Sequence, residues 1–351
     1  MERYFSKAVD FLKGIKEKDE VIIIFHNDGD GISSAAVMNR LVKSITGYSA
    51  LLISQPMPIN SNITEKIKTT IPTKIIFIDL AVDQNPEIVK KVAGYAPTLV
   101  IDHHIIANNM NSKRIVHYNP RFTKADIFQS ASYLAHKLCS EVAELDALWI
   151  SMVGIVADYN LADSKDIVSK ARKKYSVKNP KSSIFSEIGN MIFSSKTTKR
   201  LTPEQMCSVL TEAKGPEFIG SLPDGEAMME SNFIIQKEID SAVRSAASTM
   251  KKQGNLVIFE ILSSYNIRSP VTTIVSEKHE DKLVIGYVKE KGKVKFSARN
   301  QKKNINAGKI LESAIRGFRG SAGGHEAAAA GIIPEKDWEQ FLQKLAVEIN
   351  S

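Results

Sequence analysis

One short segment, residues 21–31 (VIIIFHNDGDG), constrains the fold of this chain more than any other. Its first five residues are apolar without a break and mostly β-branched, the pattern of a strand buried on both faces of a parallel sheet. The run then stops at His26-Asn27-Asp28-Gly29-Asp30-Gly31, six residues with no apolar side chain. Two later runs end in the same manner. Residues 74–78 (KIIFI) lead to Asp79, and residues 98–101 (TLVI) lead to Asp102-His103-His104. Residues 51–54 supply a further strand. Helical periodicity fills the intervals at 32–45, 63–70 and 86–94, with two more helices expected at 129–138 and 145–156. Alternation of this kind predicts an α/β fold, a doubly wound and mainly parallel sheet.

Residues 165–225 are mixed, basic and broken by Pro180, Pro203, Pro216 and Pro223; a long helical pattern follows over 224–253. Strands at 256–262, 282–288 and 293–298, with helices at 307–316 and 335–349, predict a second, smaller α/β domain. The expected organisation is a catalytic domain over 1–190, a helical connector over 191–252 and a substrate-binding domain over 253–351. The active-site cleft is expected between the two domains.

A hydrophobic content of 43% in 351 residues suits real cores, and no stretch of about 18 apolar residues exists to span a membrane. Residues 1–19 interleave charges with Phe5, Val9, Phe11 and Leu12, an amphipathic helix rather than a signal peptide. Cys139 and Cys207 form no disulfide framework or zinc motif, which fits a reducing, cytoplasmic setting. The net charge of +8 is concentrated: residues 165–181 hold seven Lys or Arg against Asp166, and residues 289–303 hold seven against Glu290. Clustered bases attract polyanions, nucleic acid among them.

In an open parallel sheet the carboxyl ends of the strands face one crevice. His26, Asp28, Asp30, Asp79, Asp102, His103 and His104 are therefore expected to converge. Crowded carboxylates disfavour ionisation unless counter-charge is present. Asp28, Asp30, Asp79 and Asp158 would balance two divalent cations, and His26 and His103 would complete a ligand set suited to Mn2+, with Mg2+ the alternative. Two such ions can activate water and polarise a phosphoryl oxygen. The competing structural reading makes Asp30 a helix cap. Phosphate motifs of the GxGxxG and GxxxxGK[ST] types are absent. His117, His136 and His279 match no motif and are expected as ordinary surface or partly buried histidines.

The ordered set His26-x-Asp28-x-Asp30-Gly31, Asp79, Asp102-His103-His104 and Val156-Ala157-Asp158 resembles the four motifs of the DHH phosphoesterase superfamily, which includes RecJ exonucleases, nanoRNases and family II pyrophosphatases. Gly323-Gly324-His325 resembles the GGH motif of the DHH-associated domain, and Ser297-Ala298-Arg299 its SxR element. The resemblance implies one metal held by His26, Asp28 and Asp79, and a second held by Asp30, Asp79, His103 and Asp158, with Asp163 competing for that last place. It implies that Asp102 orients the histidines, that His104 contacts the scissile phosphate, and that Arg299, Gly323, Gly324 and His325 grip substrate. The implied activity is a RecJ-like exonuclease on single-stranded DNA or RNA. A nanoRNase on short oligonucleotides or adenosine bisphosphate is the alternative, and a replication scaffold that binds GINS is a third reading. Here His26 stands where RecJ proteins commonly carry Asp.

Overall fold

The computed structural model describes residues 2–60 and 62–350 and divides into two compact units, Met1–Asn232 and Phe233–Ser351. The first contains α1 (Glu2–Lys13), β1 (Val21–His26), α2 (Gly29–Thr46), β2 (Leu51–Gln55), α3 (Ile63–Lys68), β3 (Lys74–Ile78), α4 (Pro86–Ala93), β4 (Thr98–Ile101) and β5 (Ile115–Tyr118). It continues through α5 (Ala131–Ser140), α6 (Leu148–Ala157), α7 (Lys165–Lys174), α8 (Ile184–Thr198), α9 (Pro203–Glu212) and the start of α10 (Pro223–Thr249). Its five strands are all parallel, in the order β2-β1-β3-β4-β5, as the alternating sequence predicts.

The apolar runs are continuous because both faces of this sheet are covered. Ile23 and Phe25 pack with Ile32, Ala35 and Met38 of α2 on one face, together with Ile76, Ile78, Leu99 and Ile101. Ile22 and Ile24 turn to the other face, where Ile75, Phe77 and Val100 meet Ile67 of α3 and Val89 of α4. The alternation expected of a strand thus sends successive apolar side chains into two separate cores. Helix α6 (LWISMVGIVA) is apolar on all sides and buried throughout residues 149–156, as a helix of that composition must be.

Two segments differ from the sequence-based expectation. Residues 115–118 (IVHY) form β5 at the sheet edge, where no strand is expected. Residues 165–225, read as mixed, contain three regular helices, α7 to α9. Their prolines mark starts rather than breaks: Pro203 opens α9 behind a Thr202–Gln205 capping box, and Pro223 opens α10.

The second unit holds the rest of α10, then β6 (Lys251–Gln253), β7 (Leu256–Glu260), α11 (Arg268–Ser276), β8 (Leu283–Glu290), β9 (Lys293–Arg299), α12 (Ala307–Ala314), β10 (Ser321–Gly324), β11 (Ala328–Pro334) and α13 (Trp338–Asn350). Its six strands run β10-β11-β9-β8-β7-β6, with only the β7–β8 pair parallel. Phe296, Trp338 and Phe341 anchor its core, with ring centroids 5.3–5.6 Å apart. Both cysteines are free and buried. No helix among the described residues is long and apolar enough to cross a membrane.

Candidate metal centre

A strand order of 2-1-3-4-5 reverses between β1 and β3, and the crevice of such a sheet opens beyond the strand ends at that switch. The acidic and imidazole groups gather there. His26 is the last residue of β1. Asp28 caps α2, accepting the Gly31 N–H at 2.9 Å. A Cβ on Gly31 would run into the backbone of His26, so glycine lets α2 start this close to the strand.

The cap role therefore falls to Asp28, while Asp30 does something else. Asp30 is 3% exposed and accepts the N–H groups of Ala131 (2.6 Å) and Ser132 (3.0 Å), at the amino end of α5, where a negative charge is favoured. Gly154 of α6 makes room for this contact, since a Cβ there would stand 2.7 Å from the Asp30 carboxylate.

Asp79 follows β3 in a left-handed backbone conformation (φ 60°), a region open to Asp and Asn more than to most residues, and is 2% exposed. Its two carboxylate oxygens face different imidazoles. Oδ2 lies 3.6 Å from His26 Nδ1, and Oδ1 lies 3.1 Å from His103 Nε2. His26 Nδ1 is also 2.9 Å from Asp28, and His103 Nδ1 is 3.9 Å from Asp158. Three sets of donor atoms lie close enough to hold a cation: His26, Asp28 and Asp79; Asp30, His103 and Asp158; and Asp79, Asp102, His103 and His104. Asp158, at the end of α6, joins this group. Asp163 instead accepts the Phe128 N–H at 2.9 Å.

The electrostatics of the site are those of acids and imidazoles crowded together and partly shielded from water. Burial works against protonation of His26, but the bonds to Asp28 and Asp79 outweigh it and carry its pKa to about 10. The same conflict, won by Asp79 with Asp30 and Asp158, raises His103 to about 10. Burial drives the Asp30 carboxyl well above its usual range, reinforced by Asp79 and Asp158. Asp158 rises to about 7 through burial, opposed by His103 and reinforced by Asp79 and Asp28. Asp28 moves the other way: despite burial, the His26 charge holds it near 2.

Two buried atoms, His103 Nδ1 and Asp158 Oδ2, have no hydrogen-bond partner, and at 3.9 Å they stand too far apart to bond each other. Buried polar atoms left unpaired at a cluster of mixed imidazole and carboxylate donors fit a divalent cation.

Asp102 pairs with His104 rather than with His103. His104 Nδ1 is 2.7 Å from its carboxylate, and Asp102 outweighs burial to raise the His104 pKa. Residues that no motif pointed to hold the rest of this turn. Asn119 donates to the His104 carbonyl (3.0 Å), and Arg121 Nε donates to the His103 carbonyl (2.8 Å). Both stand just past β5, the strand whose sequence signal is weakest. Lys196 of α8 donates to both oxygens of Asn27 (2.7 and 2.8 Å), pinning the loop between His26 and Asp28. Of the unassigned histidines, His117 corrects the expectation of at most partial burial. It lies in β5, 1% exposed, edge-on to Phe122, and burial lowers its pKa.

In the second unit, Arg299 ends β9 and pairs in register with Ala328, next to the Ala329–Gly324 pair that joins β11 to β10. Arg299 thus shares one end of the sheet with Gly323, Gly324 and the exposed His325. Its guanidinium donates to Thr273 Oγ1 (3.0 Å), the Ala298 carbonyl (2.8 Å) and Ser269 Oγ (2.7 Å). Gly324 has φ 152° and no space for a Cβ against Ala328 and Ala329.

Comparison with known proteins agrees with this architecture. Residues 20–163 match the DHH family, N-terminal domain, and residues 254–351 match the DHHA1 domain. An uncharacterized protein of Methanocaldococcus jannaschii is 23% identical over 420 residues, spanning 95% of each chain. The fold is similar to that of RecJ from Thermus thermophilus in complex with Mn2+ (TM-score 0.73, 16% identity), over 98% of this chain and 54% of that one. The present chain therefore spans about half the length of that RecJ. It is also similar to an exonuclease RecJ bound to manganese (TM-score 0.66, 14% identity), over 98% and 94% of the two chains. With its DHH domain followed by a DHHA1 domain, the chain belongs to the DHH superfamily.

Proposed function

We propose that this protein is a two-metal phosphodiesterase acting as a RecJ-like exonuclease on single-stranded DNA or RNA. The observation that carries the reading is Asp79, whose two carboxylate oxygens face His26 and His103 on opposite sides, as a ligand shared by two cations would. His26, Asp28 and Asp79 would hold one ion; Asp30, Asp79, His103 and Asp158 would hold the other. The mixed donor set favours Mn2+, with Mg2+ the alternative. Bound ions of this kind activate water and polarise a phosphoryl oxygen.

The chain's own residues do the rest. Asp102 holds His104 by Nδ1, which leaves Nε2 to donate to a phosphate oxygen, and it favours the protonated ring that such donation needs. Lys196 fixes the loop that carries Asp28. Arg299 and the GGH turn are proposed to grip the strand, Arg by its charge and planar fork and the glycines by open backbone. A pocket of about 570 Å3 on α7, lined by Lys165, Arg172, Lys173 and Lys178 with Ser169 and Ser176, offers the clustered positive charge that attracts a polyanion such as nucleic acid. The complete ligand set favours catalysis over a role confined to binding GINS.

The deciding experiment incubates the protein and Mn2+ with end-labelled single strands of graded length, beside an Asp79→Asn control. Stepwise shortening of long strands, absent from the control, is expected. Activity confined to the shortest strands would replace exonuclease by nanoRNase. No cleavage of any strand by metal-loaded protein would turn the reading to a scaffold, with pull-down of replication proteins as its test.

A further inference from the structure

Two aromatic residues adjoin the proposed metal centre and are left unused by the chemistry above, Tyr159 as the chain neighbour of Asp158 and Phe128 through its ring beside His103. Tyr159 directly follows Asp158, has a left-handed backbone (φ 53°) and is 76% exposed. A bulky residue in that conformation is disfavoured, and such strain persists only where surrounding bonds impose it. Here they do: Asp158 N–H donates to Gly154 (2.9 Å), Tyr159 N–H to Val156 (3.1 Å) and Asn160 N–H to Ile155 (2.8 Å). Phe128 is 39% exposed, with its ring centroid 5.5 Å from that of His103 and the two planes 31° apart.

The two aromatics belong to one construction. The loop that carries Tyr159 occupies both backbone groups of Phe128: Asp163 accepts its N–H, and the buried Asn160 side chain donates to its carbonyl. Asn160 is held in turn by Ser164 Oγ at 2.6 Å. Neither exposed ring is hidden in a core, yet the structure fixes the backbone of each at the edge of the donor cluster.

From this juxtaposition we infer that Phe128 and Tyr159 form a stacking platform for the nucleobase adjoining the phosphodiester that is cut. The inference deepens the phosphodiesterase reading and rests on it. Aromatic faces stack on any base, so the platform selects for a nucleotide over other phosphodiesters without choosing a sequence. It gives the terminal nucleoside a fixed place beside His103, which orients the bond to be broken.

The test uses short strands that carry a normal nucleotide or an abasic one at the end, each end in turn, with Mn2+ and the full-length protein. The measured quantity is the ratio of kcat/KM for the base-bearing strand to that for the abasic strand. Wild type is expected to favour the base-bearing strand by about tenfold or more, the scale of one base–aromatic stack. Tyr159→Ala and Phe128→Leu should each shrink that ratio, whereas Tyr159→Phe, which keeps the ring, should retain it. A wild-type ratio near one, an undiminished ratio in both shortened variants, or its loss in Tyr159→Phe overturns the platform. A wild type that cuts neither strand overturns the phosphodiesterase reading beneath it, and the platform with it.

Discussion

The strand ends of the first unit and the β9–β11 end of the second both present polar groups, but with opposite electrical character. In the first unit every strand is parallel, so β1, β3 and β4 deliver their terminal residues to one edge, and those residues are acids and imidazoles. Asp30, Asp79, Asp102 and His103 among them are buried, the pKa values of the group are displaced in both directions, and two of its atoms lack partners. In the second unit the sheet is mixed; Arg299 donates to Thr273, Ala298 and Ser269, and the adjoining His325 is exposed. Under the proposed reading the first region takes up cations before it meets an anion. The second is proposed to bind the substrate phosphate through Arg299 and the GGH turn. On that reading sheet polarity separates reaction chemistry from grip: the parallel strand ends bring the metal donors together, and the mixed sheet carries the substrate-binding groups.

The severest way to break this contrast is Asp79→Asn, which keeps a residue suited to the left-handed backbone while removing the shared charge. Hydrolysis should fall by more than about 100-fold, beyond the loss usual for outer ligand partners. Calorimetry should find metal binding lost with it; retained two-ion binding would refute the bridging assignment. Next comes Asp102→Asn, expected to cost roughly 10- to 100-fold in rate. NMR titration should find the His104 pKa lowered, because the carboxylate that raises it is gone. An unmoved pKa would sever the Asp102–His104 link.

Arg299→Ala tests the other region. KM should rise about tenfold, the scale of one charge-assisted bond, while calorimetry finds metal affinity at the wild-type level. Weaker metal binding in that variant would erase the division of labour.

The smallest expected effect is on stability against pH without metal. The folded pKa of Asp158 is raised from 3.8 to about 7, and that of His26 from 6.5 to about 10. Each group contributes stability that is fully present below its unfolded value and lost as pH rises through the folded one. The melting temperature of metal-free protein should therefore decline from about pH 4 to 7 through Asp158 and from about pH 6.5 to 10 through His26. Added Mg2+ should offset the decline increasingly with pH, since it replaces the protons it displaces. A constant gap between the two melting curves would count against metal at these residues.

How much of this was legible in the sequence follows the same division. Buried parallel strands announce themselves, because two-sided burial forces runs such as VIIIF and KIIFI, and the polar residue that ends each run is the one at the crevice. β5 did not announce itself: four residues with a histidine third carry too little periodicity, and the burial of His117 comes from Phe122 and its neighbours. Asn119, Arg121 and Lys196 escaped for a related reason. They act through contacts 15 to 169 residues away in the chain, and no local pattern records such contacts. The helix contact of Asp30 escaped in the same way: a cap is sought three residues ahead, whereas its partners are Ala131 and Ser132.

That last contact bears on how such a centre can decay through descent. Asp30 is both a proposed metal ligand and the carboxylate on which α5 begins, so its loss should disturb the packing of α5 as well as the proposed reaction. The polar contacts of the His26 ring, by comparison, are with Asp28 and Asp79, two other members of the cluster. Lineages that abandon hydrolysis while keeping the fold should shed the His26 imidazole early and the Asp30 carboxylate last. An alignment of relatives with incomplete donor sets would reveal that order, and a lineage retaining His26 without Asp30 would contradict it.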